Sequence, residues 1–377
     1  MLKTTRLANN ASVECLTKLW AERYVPDLSI LSATTGCFTV SDLLAASSSQ
    51  GRIQTLAKLQ RMVEINCKCA GIQTNAIFSY IPNVVSLTEA QGIARAAALA
   101  YQQVLEVYQR QVNVSPLEAS IPENDTINLS TDIFKASELA GLSLSEVQQL
   151  ADAIEPVLLL FQDQHLSATD RRAVGFMSTQ FHLSAKLVLN RLTTPEQLLL
   201  SPYFKFVEEQ VCIPWQRVCA AAGRHALDSP ALVLVQKMLP ASGAIAQRVY
   251  RRAVELYPHH QSRRGSLREL VVKASSIRDI EMFQGYLWLC VLEGNMSAVE
   301  EELLPLCLMV FPSIEVTWDL VEQLMPLLIA EIQTCISPAQ KQFLRPYTRA
   351  MQQLFSNLEA KAIEQSKTVS CALKYTH

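Results

Sequence analysis

The chain has 377 residues, an apolar fraction of 49%, a charged fraction of 18% and a formal net charge of −2. That length exceeds one ordinary helical core and predicts two or three domains, while the near-neutral charge supplies no global pull toward nucleic acid or anionic lipid. The longest apolar runs, Leu303–Ile314 and Leu324–Ala330, are broken by Pro305, Pro312 and Pro326 and fall short of the ~20 residues of a bilayer span.

The opening Met-Leu-Lys-Thr-Thr-Arg-Leu-Ala-Asn-Asn lacks an apolar h-region, so a soluble cytoplasmic protein with no transmembrane segment is expected. Residues 1–38 carry little pattern beyond Leu16, Leu19 and Trp20 on one helical face, interrupted at Pro26. Ser41 precedes a long helical pattern through Leu43, Leu44, Ile53, Leu56, Leu59 and Met62, with Gly51 a candidate break. Ser86-Leu-Thr-Glu89 has capping-box form and opens an Ala-rich helix toward Tyr108. From Gln111 to Ser130 the periodicity stops in a run of breakers and turn formers, which reads as a linker or as a long loop within one domain.

Beyond it, helix starts recur. Ser143-Leu-Ser-Glu146, Ser167-Ala-Thr-Asp170, Thr194-Pro-Glu-Gln197, Ser229-Pro230, Ser266-Leu-Arg-Glu269, Ser297-Ala-Val-Glu300 and Ser337-Pro-Ala-Gln340 all carry cap signatures. They predict helices over 143–163, 168–191, 195–224, 230–257, 267–293, 298–310, 314–335 and 338–361, with breaks at Pro214 and Pro240. Gly294-Asn295 supplies a left-handed stop after the fifth of these. No stretch alternates long enough to be a strand, so the fold class is all-α. The expected organisation is a helical domain over 1–128, a helical middle region over 129–228, a third domain over 229–366 and a tail over 367–377.

Chemistry-bearing residues are sparse. Ten cysteines are scattered without a paired framework, and Cys67-Lys-Cys69 has no second cluster to complete a zinc site. His259-His260 are adjacent, so their side chains diverge. His182, between Phe181 and Leu183, reads as a satisfied core histidine rather than a haem-type ligand. Asp170-Arg171-Arg172 reads as an exposed first turn, and Glu300–Glu302 as a solvated helix start where negative charge suits the dipole. Arg248, Arg251, Arg252, Arg263, Arg264, Arg268, Lys273 and Arg278 precede an acidic set, Glu281, Glu293, Glu300, Glu301 and Glu302. This basic-then-acidic order reads either as a docking surface for a protein partner or as a solvated helix face, and nucleic acid is not expected. No catalytic set of nucleophile, base and orienting group stands out, so no enzyme is expected.

One helix carries more. Ser276-Ile277-Arg278-Asp279 followed by an apolar run to Leu289-Cys290-Val291-Leu292-Glu293-Gly294 resembles the chromophore helix of the phycobiliprotein family, whose pattern is Cys-x-Arg-Asp ahead of an apolar helix. Ala241–Pro258 upstream, and Val299–Leu304 and Phe311–Trp318 downstream, follow the family's order and spacing, over residues 230 to 360. The resemblance implies a globin-like C-terminal domain in a cyanobacterial or plastid setting. In the family the cysteine forms a thioether to a linear tetrapyrrole, the aspartate holds pyrrole N–H groups and the arginine pairs with a propionate. Those positions are Ser276, Asp279 and Arg278 here. A serine hydroxyl is too weak a nucleophile for that addition, and Cys290 lies roughly 21 Å further along the helix. The site is therefore expected to be vestigial or to hold a bilin non-covalently, with no other cofactor and no metal. The implied work is protein–protein interaction with phycobilisome or photosystem subunits, in association, assembly or maintenance, with peripheral thylakoid association as a further expectation.

Overall fold

The computed structural model describes residues 7–357 apart from 9, 27–38, 80–84, 112–140 and 167–172. Among the described residues the chain is all-α, with fourteen α-helices and one short hairpin. In chain order the helices are α1 (Ala11–Ala21), α2 (Val40–Ser47), α3 (Ser49–Gln60), α4 (Val63–Phe78), α5 (Leu87–Arg110), α6 (Leu144–Leu166) and α7 (Ala173–Leu189). They continue with α8 (Thr194–Cys212), α9 (Trp215–Ala221), α10 (Pro230–Leu256), α11 (Leu270–Glu293), α12 (Leu304–Ser313), α13 (Trp318–Thr334) and α14 (Pro338–Leu354). The strands β1 (Gln261–Ser262) and β2 (Gly265–Ser266) pair antiparallel between α10 and α11.

Many helix starts form as their residues dictate. Ser86 accepts from Glu89 N–H at 3.2 Å while its own N–H donates to the Glu89 carboxylate at 2.7 Å, satisfying two orphan donors at once. Ser143 with Glu146 and Ser337 with Gln340 repeat the arrangement. Ser229 accepts from Leu232 N–H, and Pro230 takes the first helical position. At the far end of α11, Gly294 adopts φ 73°, and the N–H groups of Gly294 and Asn295 both return to Cys290 O.

Other starts move. The helix expected from Ser41 begins at Val40, capped by Thr39 and Asp42, and its break falls at Ser48 rather than Gly51. Thr193, not Thr194, caps α8: Glu196 is three residues on from Thr193, and it accepts from that residue's N–H and hydroxyl at 2.9 Å each. Ser266 is drawn into the hairpin, so α11 starts after Glu269 with no side-chain cap, three residues later than its signature predicts. After Ser297, whose N–H donates to the Asn295 side chain, the helical start falls where its signature places it, but the next turn, Val299–Leu303, is π-helical before the segment continues as α12. Pro214 separates α8 from α9 as expected. Pro240 does not break α10, because it sits on the exposed face where water can take the freed carbonyl. The cap at Ser167–Asp170, most of the 111–130 stretch and the tail from 367 lie outside the described residues.

In the first half, α4 packs along α7 and α5, with α6 and α8 completing the bundle. In the second, α10 packs on α11 and α13, and α14 closes over α11 and α13. The two halves are not separated by a solvent boundary. A single apolar cluster runs from Leu16 to Phe355, across positions 128 and 228. Helix α1 is one of the links: it packs on α9, α10 and α6, and Ser12 donates to His225 O at 2.7 Å.

Helix α11 is not amphipathic along its length. Every residue from Ile280 to Leu292 is buried, whereas Leu270 to Asp279 is exposed or half-buried apart from Val272. A helix apolar on all sides belongs inside a core, and here α9, α10, the π turn and α14 surround it. Its approach to the link between α8 and α9 is close enough that a Cβ on Gly285 would sit 2.7 Å from Ile213 Cγ2. The step from half-exposed to buried helix falls at Arg278-Asp279.

Candidate functional site

Ser276, Arg278 and Asp279 face a largely apolar cavity of about 150 Å³ between α7, α11, α12, α13 and the hairpin loop. Phe283, Leu306 and Phe311 form part of its wall. Arg278 also lines a second, open groove of about 870 Å³ between α7, α8 and α11. The start of α11 is thus a partition between the two spaces.

The charged step on that partition is loosely paired. Arg278 donates to Asp279 Oδ1 at 3.5 Å, their side chains are 19% and 32% exposed, and the buried Nε of Arg278 has no partner. Burial pushes the Asp279 carboxyl above the ordinary aspartate value, with Arg278 and Arg264 pulling the other way.

Two thiols share the apolar cavity, which the order of residues along the chain hid. The expectation considered only Cys290, on the same helix; Cys212 at the end of α8 and Cys307 on α12 both line the cavity beside Asp279. Proximity is therefore not what bars covalent chemistry. Burial is: it pushes the Cys212 thiol up to about 12 and raises that of Cys307 as well, so both stay protonated and weakly nucleophilic. The cavity's size adds to this. At about 150 Å³ it lies below the ~300–1,000 Å³ of pockets that take drug-sized ligands.

The histidines separate. His259 is exposed, and His260 turns toward the apolar cavity, where burial lowers its pKa and its Nε2 has no partner. His182 is not a core residue: it lies half-buried on the open groove, 3.0 Å from Glu208 Oε2. Cys67 is buried and Cys69 exposed, and among the described residues no three His, Cys, Asp or Glu side chains converge for a metal ion. Asp170, Arg171 and Arg172 lie outside the described residues.

The basic-then-acidic surface is mostly consumed internally. Arg248 and Arg252 pair with Glu331 at 2.8 and 3.2 Å, and Arg263 pairs with Glu315 at 3.2 Å. Glu302 is not solvated: it accepts from Arg217 at 2.8 Å and from the Tyr286 hydroxyl at 3.3 Å, and only Glu300 and Glu301 of the run are exposed. The cause is the fold, which brings α13 beside α10 and the π turn beside α9.

The best-built polar cluster was missed altogether. Arg23, after α1, reaches Glu281 Oε1 at 3.1 Å and Glu209 Oε1 at 3.4 Å, donates to Ser242 Oγ, and stacks over Trp215 at 4.5 Å. Tyr24 donates to Glu209 Oε2 at 3.0 Å and accepts from Trp20 Nε1 at 2.8 Å. Burial raises the Glu281 pKa, with Arg23 opposing it and Glu209 adding to it. One signal was available: Glu281 heads a fully apolar run, and a charge in such a setting needs a partner.

No helix among the described residues is long and apolar enough to cross a membrane. No protein-family model, no curated protein and no solved structure matches this chain.

Proposed function

We propose that this chain is a non-enzymatic interaction factor of the photosynthetic apparatus, binding phycobilisome or photosystem subunits without a covalently attached bilin. The observation that carries the second half is at the resembling site. A hydroxyl, Ser276, stands where the pigment-bearing thiol would be, and the two thiols that share its cavity are kept protonated by burial. The first half is supported by the order of helices over 230–354, and by α1, which packs on α10 of that region. Affinity capture from thylakoid and phycobilisome extracts tests it. Recovery of defined photosystem or phycobilisome subunits is expected; their absence, with the bait folded, overturns the reading. Peripheral association with the thylakoid membrane would follow from such a partner.

A second reading, a carrier that holds a bilin non-covalently, is favoured by one feature: the unpartnered Arg278 Nε is a donor that a propionate would satisfy. Co-expression with bilin synthesis decides between the two. A visible absorbance band that persists through size exclusion supports the carrier, and a colourless protein removes it.

A further inference from the structure

We propose that the open groove between α7, α8 and α11 docks an acidic segment of a partner polypeptide. The inference rests on the interaction-factor reading and adds the surface used and the chemistry recognised.

The groove offers cations from four separate parts of the fold: Lys186 on α7, Lys205 on α8, Arg264 in the hairpin loop and Arg278 on α11. It also contains three carboxylates, but these are recessed and engaged. Glu209 and Glu281, with side chains 5% and 10% exposed, are held by Arg23, and Glu208, 22% exposed, sits on His182. The lysines stand outward: Lys186 is exposed with no ion pair among the described residues, and Lys205, its side chain 45% exposed, is held by Glu209 at 3.7 Å and Arg23 O at 3.1 Å. An approaching molecule therefore meets positive charge first, although the chain as a whole carries −2.

Size and lining narrow the occupant. A groove of about 870 Å³ open to solvent suits an extended segment rather than a small anion. Leu189, Val271 and Ile277 give it apolar ground between the cations, which favours acidic residues interspersed with aliphatic ones. Single-stranded nucleic acid would need aromatic faces for stacking; of the two rings in the lining, Phe204 is fully buried and His182 is tied to Glu208.

The test places a photo-crosslinking benzoylphenylalanine at position 186 of the full chain, and separately at position 72, where Ile72 is 72% exposed on α4 and outside the groove. Crosslinked peptides are then mapped by mass spectrometry in a photosynthetic host. Crosslinks from position 186 to an acidic, aliphatic-containing stretch of another polypeptide, lost in a Lys205→Glu/Val271→Asp background, are the expected result. Crosslinks from position 186 to this chain's own residues, to nucleic acid or to a basic segment overturn the proposal. Crosslinks to another polypeptide from position 72 alone overturn the groove while leaving the interaction-factor reading standing. Silence at both positions, with empty affinity capture, overturns both. As a check independent of the host, a labelled peptide alternating Glu and Leu is titrated by anisotropy. Its affinity is expected to fall about tenfold in Lys186→Glu and to weaken with salt, while Lys68→Glu on α4 leaves it unchanged. Equal affinity for all three proteins, or no saturable binding, overturns the proposal.

Discussion

Two arginine–carboxylate groups lie near the same helix, and they differ in almost every physical respect. At Arg278-Asp279 the partners are neighbours in sequence, half-exposed, 3.5 Å apart, and leave a buried Nε unanswered. At Arg23 the partners come from α1's end, α8, α10 and α11; the side chains are nearly dry, and the guanidinium bonds through both terminal nitrogens and stacks on Trp215, although its own Nε is unpartnered too. Adjacent residues on a helix point about 100° apart, so Arg278 and Asp279 cannot meet in good geometry. Residues from four elements can. The comparison separates a lock from an opening: the cluster at Arg23 ties several elements together through two carboxylates and a hydroxyl, whereas Arg278 faces both cavities with one loose partner.

The sharpest way to break the comparison is Arg23→Met. It leaves Glu281 buried without its counter-charge and Glu209 with only Lys205 at 3.7 Å, and a loss of about 3–5 kcal/mol is expected in denaturant unfolding. Adding Glu281→Gln and Glu209→Gln should recover much of it, which a simple packing defect at Arg23 would not allow. If Arg23→Met alone costs under about 1 kcal/mol, the cluster is not a lock.

A smaller effect is expected where α11 passes the link between α8 and α9. Gly285→Ala gains about 1 kcal/mol of helix propensity but drives a methyl to 2.7 Å from Ile213, so a net loss of about 1–3 kcal/mol should appear as a lower unfolding midpoint. A stabilised variant would show that α11 can shift away from that link.

At the loosely paired site the effect should be smaller again and should depend on pH. The raised Asp279 pKa means the folded chain holds that proton more tightly than the unfolded one. The associated stability is fully present below the ordinary value of 3.8 and is lost as pH rises through the raised folded value. Asp279→Asn removes that loss. The variant should match the parent in acid and be equal or slightly more stable at neutral pH, by less than about 1 kcal/mol. A variant that is less stable at neutral pH by more than that would mean the ion pair with Arg278 outweighs burial.

The mildest test leaves stability untouched. In native protein at pH 8, a maleimide should modify exposed Cys69 and spare Cys212, Cys219 and Cys307, mapped peptide by peptide. Rapid labelling of Cys212 or Cys307 would show the apolar cavity opening to solvent and would return covalent ligand chemistry to consideration.

Much of the fold was legible in local chemistry. Ser86, Ser143, Ser229, Ser337 and Gly294 act within four residues of themselves, through hydrogen bonds that no distant part of the chain can alter. The failure at Ser266 is as instructive: it carries a valid signature, but the hairpin claims its backbone first. Of the candidate site, Ser276, Arg278 and Asp279 were named because they follow one another. Cys212, Cys307, Arg23, Glu209 and the groove were invisible, because their meaning depends on what stands opposite.

The sequence by itself determined the all-α class, the positions of most helix ends and the absence of a reactive thiol at position 276, since propensity, capping and side-chain identity are local properties. The tertiary structure alone decided that α11 runs buried through the core, that several of the basic and acidic residues pair with distant partners, and that Arg278 divides a small apolar cavity from a larger groove. Burial and charge pairing belong to pairs of surfaces, and a single chain read in order contains only one side of each.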